Sequence, residues 1–340
     1  MAGTRVAIAC QGGGSHTAFT AGALSRLLRE PRDFDVVGLS GTSGGAICAL
    51  LAWTGLVAKR RDPTAGLLAF WDDVRASDPW DGVVNEAAIG ALRFWGQWVS
   101  PETSPYEFPQ SLLGNPLPGL LARHAEPAAL PGRVSDPAQP LLLISAVNVR
   151  SGQFVTFRGG GPPPASAVDW RPVTLDAVVA SAAVPSLFPA VEIDGELYWD
   201  GLYAQNPPLR ELLDTEPDEL WLIQVDPTTR SEVPKRPAAI RDRRNELTAN
   251  LSMQQEIFFI AKINQLIEEG MLSDKGLREY RRVGIRYLSM SEGVADKLDY
   301  ESKFDRSPQL IDELIEHGRR RAATFLQRLT QPAKTRPATE

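Results

Sequence analysis

The sequence predicts an α/β protein in which helices cover a parallel sheet, and three observations carry this prediction. A strand-like apolar run, Thr4 to Cys10, is followed by glycines and by a helical segment from Ser15 to Arg29. A second strand, Phe34 to Leu39, is followed by a second helix, Gly44 to Lys59. This alternation is typical of parallel strands joined by helical crossovers. The length of 340 residues, with 43% hydrophobic and 23% charged residues, suits one large domain with a sizeable core.

Both predicted helices have apolar faces that fit this arrangement. In the first helix Phe19, Ala23 and Leu27 are four residues apart, so they form one face that packs on the sheet. The second helix is apolar on almost every side. Its apolar residues are Ile47, Leu50, Leu51, Trp53, Leu56 and Val57. We therefore expect the second helix to be buried on most sides.

Residues 60 to 138 interrupt the alternation with many prolines and glycines and with half of the tryptophans of the chain. These are Trp71, Trp80, Trp95 and Trp98. Apolar residues about one helical turn apart within this insertion indicate a short amphipathic helix. They are Ile89, Leu92, Trp95 and Trp98, beside Phe94. Two interpretations stay open: these aromatic side chains belong to the core, or they form a lid or acyl-chain funnel that docks on lipid.

The sheet is predicted to resume after the insertion. The further strands are Pro140 to Val149, Gln153 to Arg158 and Glu219 to Asp226, with a helix from Val173 to Ala183. Asp194-Gly195 lies between two short apolar runs and is a strong signal for a hairpin turn. Charged helices dominate from Ala238 onward, among them Glu246 to Met271 and Pro308 to Leu329. We expect residues 1–330 to form one domain and residues 331–340 to be a disordered tail.

The acidic balance restricts the partners that this chain is expected to bind. The net charge of −6 and the isoelectric point near 5.3 argue against nucleic acid and against simple electrostatic adsorption to anionic membranes. Any peripheral membrane contact is therefore expected to be hydrophobic. A strand begins almost at Met1, which leaves no room for a signal peptide, and no apolar stretch reaches membrane-spanning length. Cys10 and Cys48 lie in apolar segments as inert core thiols, so a cytoplasmic location is predicted.

The most informative motif is Gly41-Thr42-Ser43-Gly44-Gly45, which lies between a predicted strand and a predicted helix. A serine at a sharp strand-to-helix turn takes a strained backbone conformation that only small neighbours tolerate. The N-terminus of the following helix favours developing negative charge. The motif therefore predicts a hydrolase in which Ser43 is the nucleophile.

A glycine loop at the end of the first strand predicts the hydrogen-bond donors that such a nucleophile needs. Gly12, Gly13 and Gly14 allow backbone amides to turn into a cavity without interference from side chains. Because the neighbouring parallel strand leads into the serine turn, we expect these amides to lie beside Ser43 and to stabilise an oxyanion. The same segment fails as a dinucleotide-binding motif, since Thr17 occupies the position of the third glycine.

Four residues are candidates for accepting the serine proton or lining the site. His317 follows the serine in the order of an α/β-hydrolase triad, but it lies in a charged amphipathic helix rather than in a loop at the sheet edge. His124 lies in the irregular insertion. His16 follows the glycine loop and suits a structural or electrostatic role. Asp200 ends a predicted strand, in a pattern that is also typical of a plain Asp-Gly turn.

Three segments occur along the chain in a fixed order. They are Gly12-Gly13-Gly14, Gly41-Thr42-Ser43-Gly44-Gly45 and Asp200-Gly201, the last with Ala180 to Pro189 before it and Asn206-Pro207-Pro208 after it. In these segments the chain resembles the patatin-like phospholipase family, over residues 4–60 and 140–226. Two positions depart from the family pattern. His16 and Thr17 stand where the family has Arg or Lys and then Gly, and Leu202 follows the Asp-Gly pair.

The resemblance implies a three-layer α/β/α fold with a mostly parallel central sheet, and the activity of a lipid acyl hydrolase. The implied site residues are Ser43 and Asp200 as a catalytic dyad, Gly12, Gly13, Gly14 and Gly44 as an oxyanion hole, and His16 and Thr42 as lining. No histidine, metal or cofactor takes part in the implied reaction. The expected substrate is a hydrophobic ester or a phospholipid.

Two other interpretations stay open. A depolymerase or oligomer hydrolase for storage polyesters would use the same fold, and a nucleotide-binding or scaffold protein would keep the fold without the chemistry. An aspartate with its ordinary pKa of about 3.9 is a weak base. An active enzyme must therefore raise the pKa of Asp200 by desolvation, for which Tyr198 and Trp199 are candidate neighbours.

Overall fold

The structure of the protein is a computed structural model that describes residues 3–29, 31–76, 82–83, 85–86, 104–106, 116–126, 130, 132, 134–164, 170–185 and 187–330. Within these ranges the strands are β1 (Thr4–Cys10), β2 (Phe34–Gly41), β3 (Leu141–Asn148), β4 (Phe154–Gly159), β5 (Arg171–Pro172), β6 (Val191–Ile193), β7 (Glu196–Asp200), β8 (Glu219–Gln224) and β9 (Gly284–Ser289). The helices are α1 (Ala18–Leu27), α2 (Gly44–Val57), α3 (Ala65–Val74), α4 (Leu117–His124), α5 (Leu175–Ser181), α6 (Pro237–Glu268), α7 (Asp274–Glu279), α8 (Glu292–Ala295) and α9 (Pro308–Thr330).

The sheet has the strand order β5-β4-β3-β2-β1-β8-β9. The five strands from β3 to β9 in this order are parallel to one another. Strands β4 and β7 both pair with β3 in the antiparallel direction, and β6 forms a hairpin with β7. The prediction of a mostly parallel sheet, with a hairpin at Asp194-Gly195, is therefore confirmed.

The sheet is apolar on both faces, as expected for parallel strands covered by helices. Val6, Ile8 and Cys10 of β1 pack in the core beneath α1, α2 and α9. Ala7 and Ala9, which point the opposite way, pack in a second core with residues of α6. Two cores on opposite faces of one sheet make three layers, which confirms the predicted α/β/α architecture.

Helices α1 and α9 lie in unusually close contact because glycines meet backbone at two points. A Cβ atom on Gly22 of α1 would stand 1.9 Å from the carbonyl oxygen of Ile315. A Cβ atom on Gly318 of α9 would stand 2.1 Å from the carbonyl oxygen of Phe19. Any side chain at either glycine would force the helices apart.

The core contains the residues that the sequence places there. All residues of α2 from Gly44 to Gly55 are buried, as its uniformly apolar sequence predicts. Both thiols are buried, and burial raises the pKa of Cys48 to about 12 and that of Cys10 well above its ordinary value. Such thiols stay protonated and inert.

Several elements differ from the prediction. The predicted helix at Ser15 begins as a 3-10 turn, Gly14–Thr17, before α1. Helix α6 begins at Pro237 rather than at Glu246, since proline is well tolerated at the first helical position. The sequence did not predict β9, an edge strand that pairs with β8.

The insertion at residues 60–138 contains α3 and α4. Trp71 of α3 is buried in the core. The predicted helix with Phe94, Trp95 and Trp98 lies outside the described residues, as do Trp80 and the tail at 331–340. Within the described ranges, no helix is long and apolar enough to cross a membrane.

Candidate active site

Ser43 lies in the turn between the end of β2 and the start of α2. Its backbone has φ 55° and ψ −129°, a left-handed conformation that is strained for a residue with a side chain. The turn is tight, because a Cβ atom on Gly41 would stand 2.3 Å from the carbonyl oxygen of Gly45. The Ser43 amide donates to Oγ of Ser181, at 3.0 Å. This geometry holds the serine at the N-terminus of α2, as the motif predicts.

Asp200 reaches the serine through the arrangement of strands around β3. One edge of β3 pairs with β2, where Gly41 is opposite Ile144. Further along the same edge, β3 pairs with β7, where Asp200 is opposite Ala146. The opposite edge of β3 is occupied by β4. Strands β2 and β7 therefore run toward each other along one edge of β3. Ser43, which follows β2, and Asp200, which ends β7, meet there.

The carboxyl group of Asp200 is fully buried and only partly hydrogen-bonded. Oδ1 accepts a hydrogen bond from the Leu202 amide at 2.8 Å, whereas Oδ2 has no hydrogen bond of ordinary geometry among the described residues. Burial raises the pKa of Asp200 to about 7. The Leu202 amide, the nearby Ser43 hydroxyl and the positive charge of Lys303 act in the opposite direction. The carboxyl can therefore gain or lose a proton near neutral pH.

The glycine loop lies against the serine turn. A Cβ atom on Gly12 would stand 2.9 Å from Cβ of Ser43, and one on Gly44 would stand 2.9 Å from the carbonyl oxygen of Gly14. Gly14 itself has φ 55°, which favours glycine. Only backbone without side chains allows the loop and the turn to approach this closely.

The amides of this region divide into two groups. The Gly12 amide donates to Oδ1 of Asn206 at 2.8 Å, so in this structure it is not free for an oxyanion, contrary to the sequence expectation. The amides of Gly13, Gly14 and Gly44 make no hydrogen bond with any other part of the chain that the structure describes. These three amides stay the candidates for the predicted oxyanion hole.

The sequence predicts that Thr42 lines the site. In the structure its side chain is instead held inside the fold, where it supports the turn. It is fully buried, and its hydroxyl lies 2.6 Å from the carbonyl oxygen of Gln205 and 2.7 Å from Oγ of Ser145. The Ser145 hydroxyl donates to the same Gln205 carbonyl at 2.6 Å. Ser145 and Gln205 were not indicated by any sequence motif. Ser145 reaches the turn through the pairing of β3 with β2 and β7, Gln205 lies in the loop after Asp200, and Ser181 ends helix α5.

Helix α6 holds the glycine loop from the opposite face of the sheet. Nε2 of Gln11 donates to Oδ1 of Asn250 at 2.9 Å. The Asn206 side chain, which accepts from Gly12, donates to the carbonyl oxygen of Ala249 at 3.0 Å. The backbone amide of Asn206 donates to Oγ of Ser252 at 3.1 Å. One face of α6 thus sets the position of the loop.

The three histidines occupy separate places. Nε2 of His16 lies 2.8 Å from Oγ of Ser302, and burial, with the charge of Lys303, holds the pKa of His16 well below its ordinary value. His124 pairs with Asp73 on the insertion. Nε2 of His317 accepts from the Ser291 amide at 3.1 Å. None of them hydrogen-bonds to Ser43 or Asp200 in the described structure.

Lys303 is a charged residue of the site that the sequence did not indicate. Its carbonyl oxygen would be 2.2 Å from a Cβ atom on Gly14, so its backbone lies on the glycine loop. Its ammonium group lies 2.7 Å from Oδ1 of Asp226, and both side chains are largely buried. Its charge lowers the pKa of Asp200 and of His16. Across the described ranges, no group of three or more His, Cys, Asp or Glu side chains could hold a metal ion.

Two solved structures resemble the chain at low sequence identity. VipD from Legionella pneumophila shares 13% identity at a TM-score of 0.44, over 96% of this chain and 67% of that chain. The type III effector protein ExoU shares 15% identity at a TM-score of 0.37, over 96% of this chain and 53% of that chain. The chain thus spans about two thirds of the length of VipD and about half of the length of ExoU.

Family comparison gives a more specific result. No curated protein matches the chain. The family model for patatin-like phospholipase matches residues 8–213, which is more than half of the chain. The matched range includes the glycine loop, the turn with Ser43 and the strand that ends at Asp200. The chain therefore belongs to the patatin-like phospholipase family.

Proposed function

We propose that this protein is a lipid acyl hydrolase that cleaves hydrophobic esters with a dyad of Ser43 and Asp200. Membership of the patatin-like phospholipase family supports lipid acyl hydrolysis in general. One observation carries the finer proposal. The buried Asp200 carboxyl, with its pKa raised to about 7, has an oxygen without a hydrogen bond in the described structure and lies beside the Ser43 hydroxyl.

Asp200 is the base in the first half-reaction. The Ser43 hydroxyl attacks the carbonyl carbon of the ester while its proton passes to Oδ2 of Asp200. The tetrahedral intermediate then collapses, and the bond to the alcohol breaks. The proton moves from Asp200 to the departing alcohol, which leaves the acyl group on Ser43.

The negative charge of the intermediate is stabilised by backbone. The amides of Gly13, Gly14 and Gly44 donate to the oxyanion, and the N-terminus of α2 adds a favourable field. Gly12 has a different task, because its amide is held by Asn206. It fixes the loop so that the next two amides point at the reacting oxygen.

A water molecule completes the cycle. Asp200 takes a proton from this water as it attacks the acyl carbon, and the same three amides hold the second oxyanion. Collapse of this intermediate releases the carboxylic acid and returns the proton to Ser43.

The charges around the site favour recognition of the ester and its acyl chain over strong pairing with a phosphate. His16 is buried and stays neutral, because its pKa is well below the ordinary value. Lys303 carries the positive charge, but Asp226 holds its ammonium group. We therefore propose a hydrophobic ester as the substrate class, with phospholipids as one member.

The deciding experiment is labelling by a fluorophosphonate probe together with hydrolysis of a substrate panel. Wild-type protein should label at one site, and Ser43→Ala should not label, whereas the surface control Ser151→Ala should label fully. The panel consists of p-nitrophenyl esters, phosphatidylcholine, lysophosphatidylcholine and a hydroxyalkanoate oligomer. Equal labelling of the wild type and Ser43→Ala would contradict the proposal, and turnover of the oligomer alone would favour the depolymerase alternative.

A further inference from the structure

Helix α6 carries a row of exposed apolar side chains that no described part of the chain covers. The side chains of Ile240, Leu247, Leu251 and Phe258 are 51%, 54%, 59% and 73% exposed. They are separated by seven, four and seven residues, so they lie on one line along the helix. We name these four residues the α6 stripe. At about 1.5 Å per residue the stripe is roughly 27 Å long.

The exposed charges in the segment that flanks the α6 stripe are positive. Between residues 233 and 267 they are Lys235, Arg236, Arg244 and Lys262, and the exposed acidic residues Glu232, Glu268 and Glu269 lie beyond the two ends of the stripe. The acidic residues of this segment turn inward. Asp242 accepts from the Tyr300 amide, Glu246 pairs with Arg230 and Arg243, and Glu256 accepts from the amides of Leu209 and Arg210. This segregation occurs in a protein whose net charge is −6.

The opposite face of α6 supports the catalytic loops. Asn250 and the Ala249 carbonyl hold Gln11 and Asn206, which in turn position the glycine loop. Helix α6 also begins at the edge of the sheet where the glycine loop lies. It follows the carboxyl end of β8, which is aligned with the carboxyl end of β1, where the glycine loop starts. The α6 stripe therefore starts at the edge that holds Ser43 and Asp200.

We propose that the α6 stripe docks this protein on an anionic lipid surface. A helix with an apolar face flanked by Lys and Arg lies in the plane of a membrane interface, with its apolar side chains among the acyl chains and its basic groups near the headgroups. The proposal adds a partner surface to the acyl hydrolase proposed above. It brings the catalytic edge of the sheet to a place where hydrophobic esters are concentrated.

The charges oppose the alternative occupant, a second copy of the chain. Antiparallel pairing of two stripes about their centres would place Lys262 of each copy opposite Arg236 of the other. Parallel pairing would place Arg244 of one copy beside Arg244 of the other. Like charges that face each other destabilise a helix pair, whereas an anionic surface attracts all four basic residues.

The test measures vesicle binding with the full chain carrying Ser43→Ala, so that no lipid is consumed. Vesicles of phosphatidylcholine with one quarter phosphatidylglycerol are compared with pure phosphatidylcholine by co-sedimentation. The apolar variant is Leu251→Ser with Phe258→Ser, and the charge variant is Arg244→Glu with Lys262→Glu. Matched controls are Phe154→Ser, which is an exposed phenylalanine of β4, and Arg150→Glu, which is an exposed arginine of the β3–β4 turn. Thermal unfolding checks that each variant is folded.

We expect the protein to bind the anionic vesicles at least about tenfold more tightly than the neutral ones, with weaker binding at high salt. Each stripe variant should lose about tenfold or more in affinity, while both controls bind like the parent. Failure to bind anionic vesicles, or equal binding by all variants, would overturn the proposal. A dimer that light scattering detects in the parent and not in the apolar variant would overturn it in favour of a second copy.

The outcome is independent of the catalytic proposal. Vesicle binding by Ser43→Ala together with absent fluorophosphonate labelling of the wild type would leave the docking surface standing and remove the hydrolase. Labelling and ester hydrolysis by the wild type, without vesicle binding by Ser43→Ala, would support the hydrolase and overturn the docking surface.

Discussion

The ammonium group of Lys303 and Oδ1 of Asp226 form a buried ion pair, 2.7 Å long, directly behind the glycine loop. The pair couples the C-terminal part of the chain to the carboxyl of Asp200, since the charge of Lys303 lowers the pKa of Asp200. Burial raises the pKa of Asp226, and Lys303 opposes this effect. Removal of either partner would leave the other charge buried without its counter-ion.

We expect Lys303→Met to shift the acid limb of the pH profile of kcat/KM to higher pH. Without the positive charge the pKa of Asp200 rises further, so the base is ionised only at higher pH. The variant should also lose about 3 kcal/mol of stability, because Asp226 is left unpaired in the interior. A pH–rate profile and a denaturant titration measure the two effects.

A double variant separates the two effects. Lys303→Met with Asp226→Asn should regain most of the stability but keep the shifted acid limb, because the neutral pair no longer buries an unpaired charge. Lys303→Arg should keep the limb near the wild-type position. A limb that stays in place in Lys303→Met would show that this lysine does not act on the base.

Asp200→Asn should nearly abolish turnover and yet stabilise the fold at pH 8. The amide cannot accept the serine proton, so hydrolysis should fall almost as far as in Ser43→Ala. The pKa of Asp200 is raised in the folded state, so the folded protein binds the proton more tightly than the unfolded chain. This contribution to stability is therefore lost as pH rises from about 4 to about 7.

The stability gain in Asp200→Asn should thus depend on pH. It should be largest above pH 7, on the order of 3 kcal/mol, and small near pH 4, where the wild-type carboxyl is protonated in the folded state and about half protonated in the unfolded chain. Thermal melts at pH 4.5 and pH 8 measure the difference. A variant that is less stable than wild type at both pH values would contradict a desolvated carboxyl at this position.

A larger residue at Gly13 should lower kcat more than it changes KM. A Cβ atom there would stand 2.7 Å from Cγ2 of Val225, so the clash must turn the Gly13 amide away from the site. Loss of one oxyanion donor costs about 10²- to 10³-fold in kcat. Gly13→Ala tests this loss, and Gly13→Ala with Val225→Ala, which relieves the clash, should recover part of it. A change in KM alone would mean that the loop binds the headgroup instead.

The distant histidines should be dispensable for turnover. His317 accepts from the Ser291 amide and His124 pairs with Asp73, so neither reaches the dyad. We expect His317→Gln and His124→Gln to keep most of the wild-type kcat with p-nitrophenyl butyrate, whereas Ser43→Ala keeps none. A fall of His317→Gln to the level of Ser43→Ala would favour a triad.

The serine turn was predictable because its signals in the sequence are local. The turn at Ser43 needs a strand before it, a helix after it and small neighbours, and all of these lie within about twenty residues of sequence. The residues alone left Asp200 undecided between a base and a plain turn. Its position depends on the pairing of β7 with β3, and only the family resemblance pointed to it.

Contacts between distant parts of the chain were not predictable. Lys303 reaches the glycine loop from the C-terminal region, and Asn250 and Asn206 act through helix α6. No local pattern of residue types records such partners. The edge strand β9 was missed for a related reason, since Tyr287 and Arg286 are solvent-exposed and only pairing with β8 defines the strand.

The distribution of charge over the surface differs from what the net charge suggests. The net charge of −6 predicts that anionic membranes repel the protein. Asp242, Glu246 and Glu256 of α6, however, bind partners within the fold, and the basic residues Arg244 and Lys262 remain at its surface. An average over the chain cannot show this segregation.

The shared edge of β3 has a consequence for how activity arises during folding. The serine turn comes from the first fifty residues, whereas Asp200 ends β7. The two meet only when β2 and β7 have both paired with β3, which lies between them in the sequence. A chain that stops before β7 lacks Asp200, the proton acceptor of the proposed mechanism. If Ser43 and Asp200 act as proposed, hydrolysis needs all three strands in place, and the onset of turnover would report when the last of them has docked.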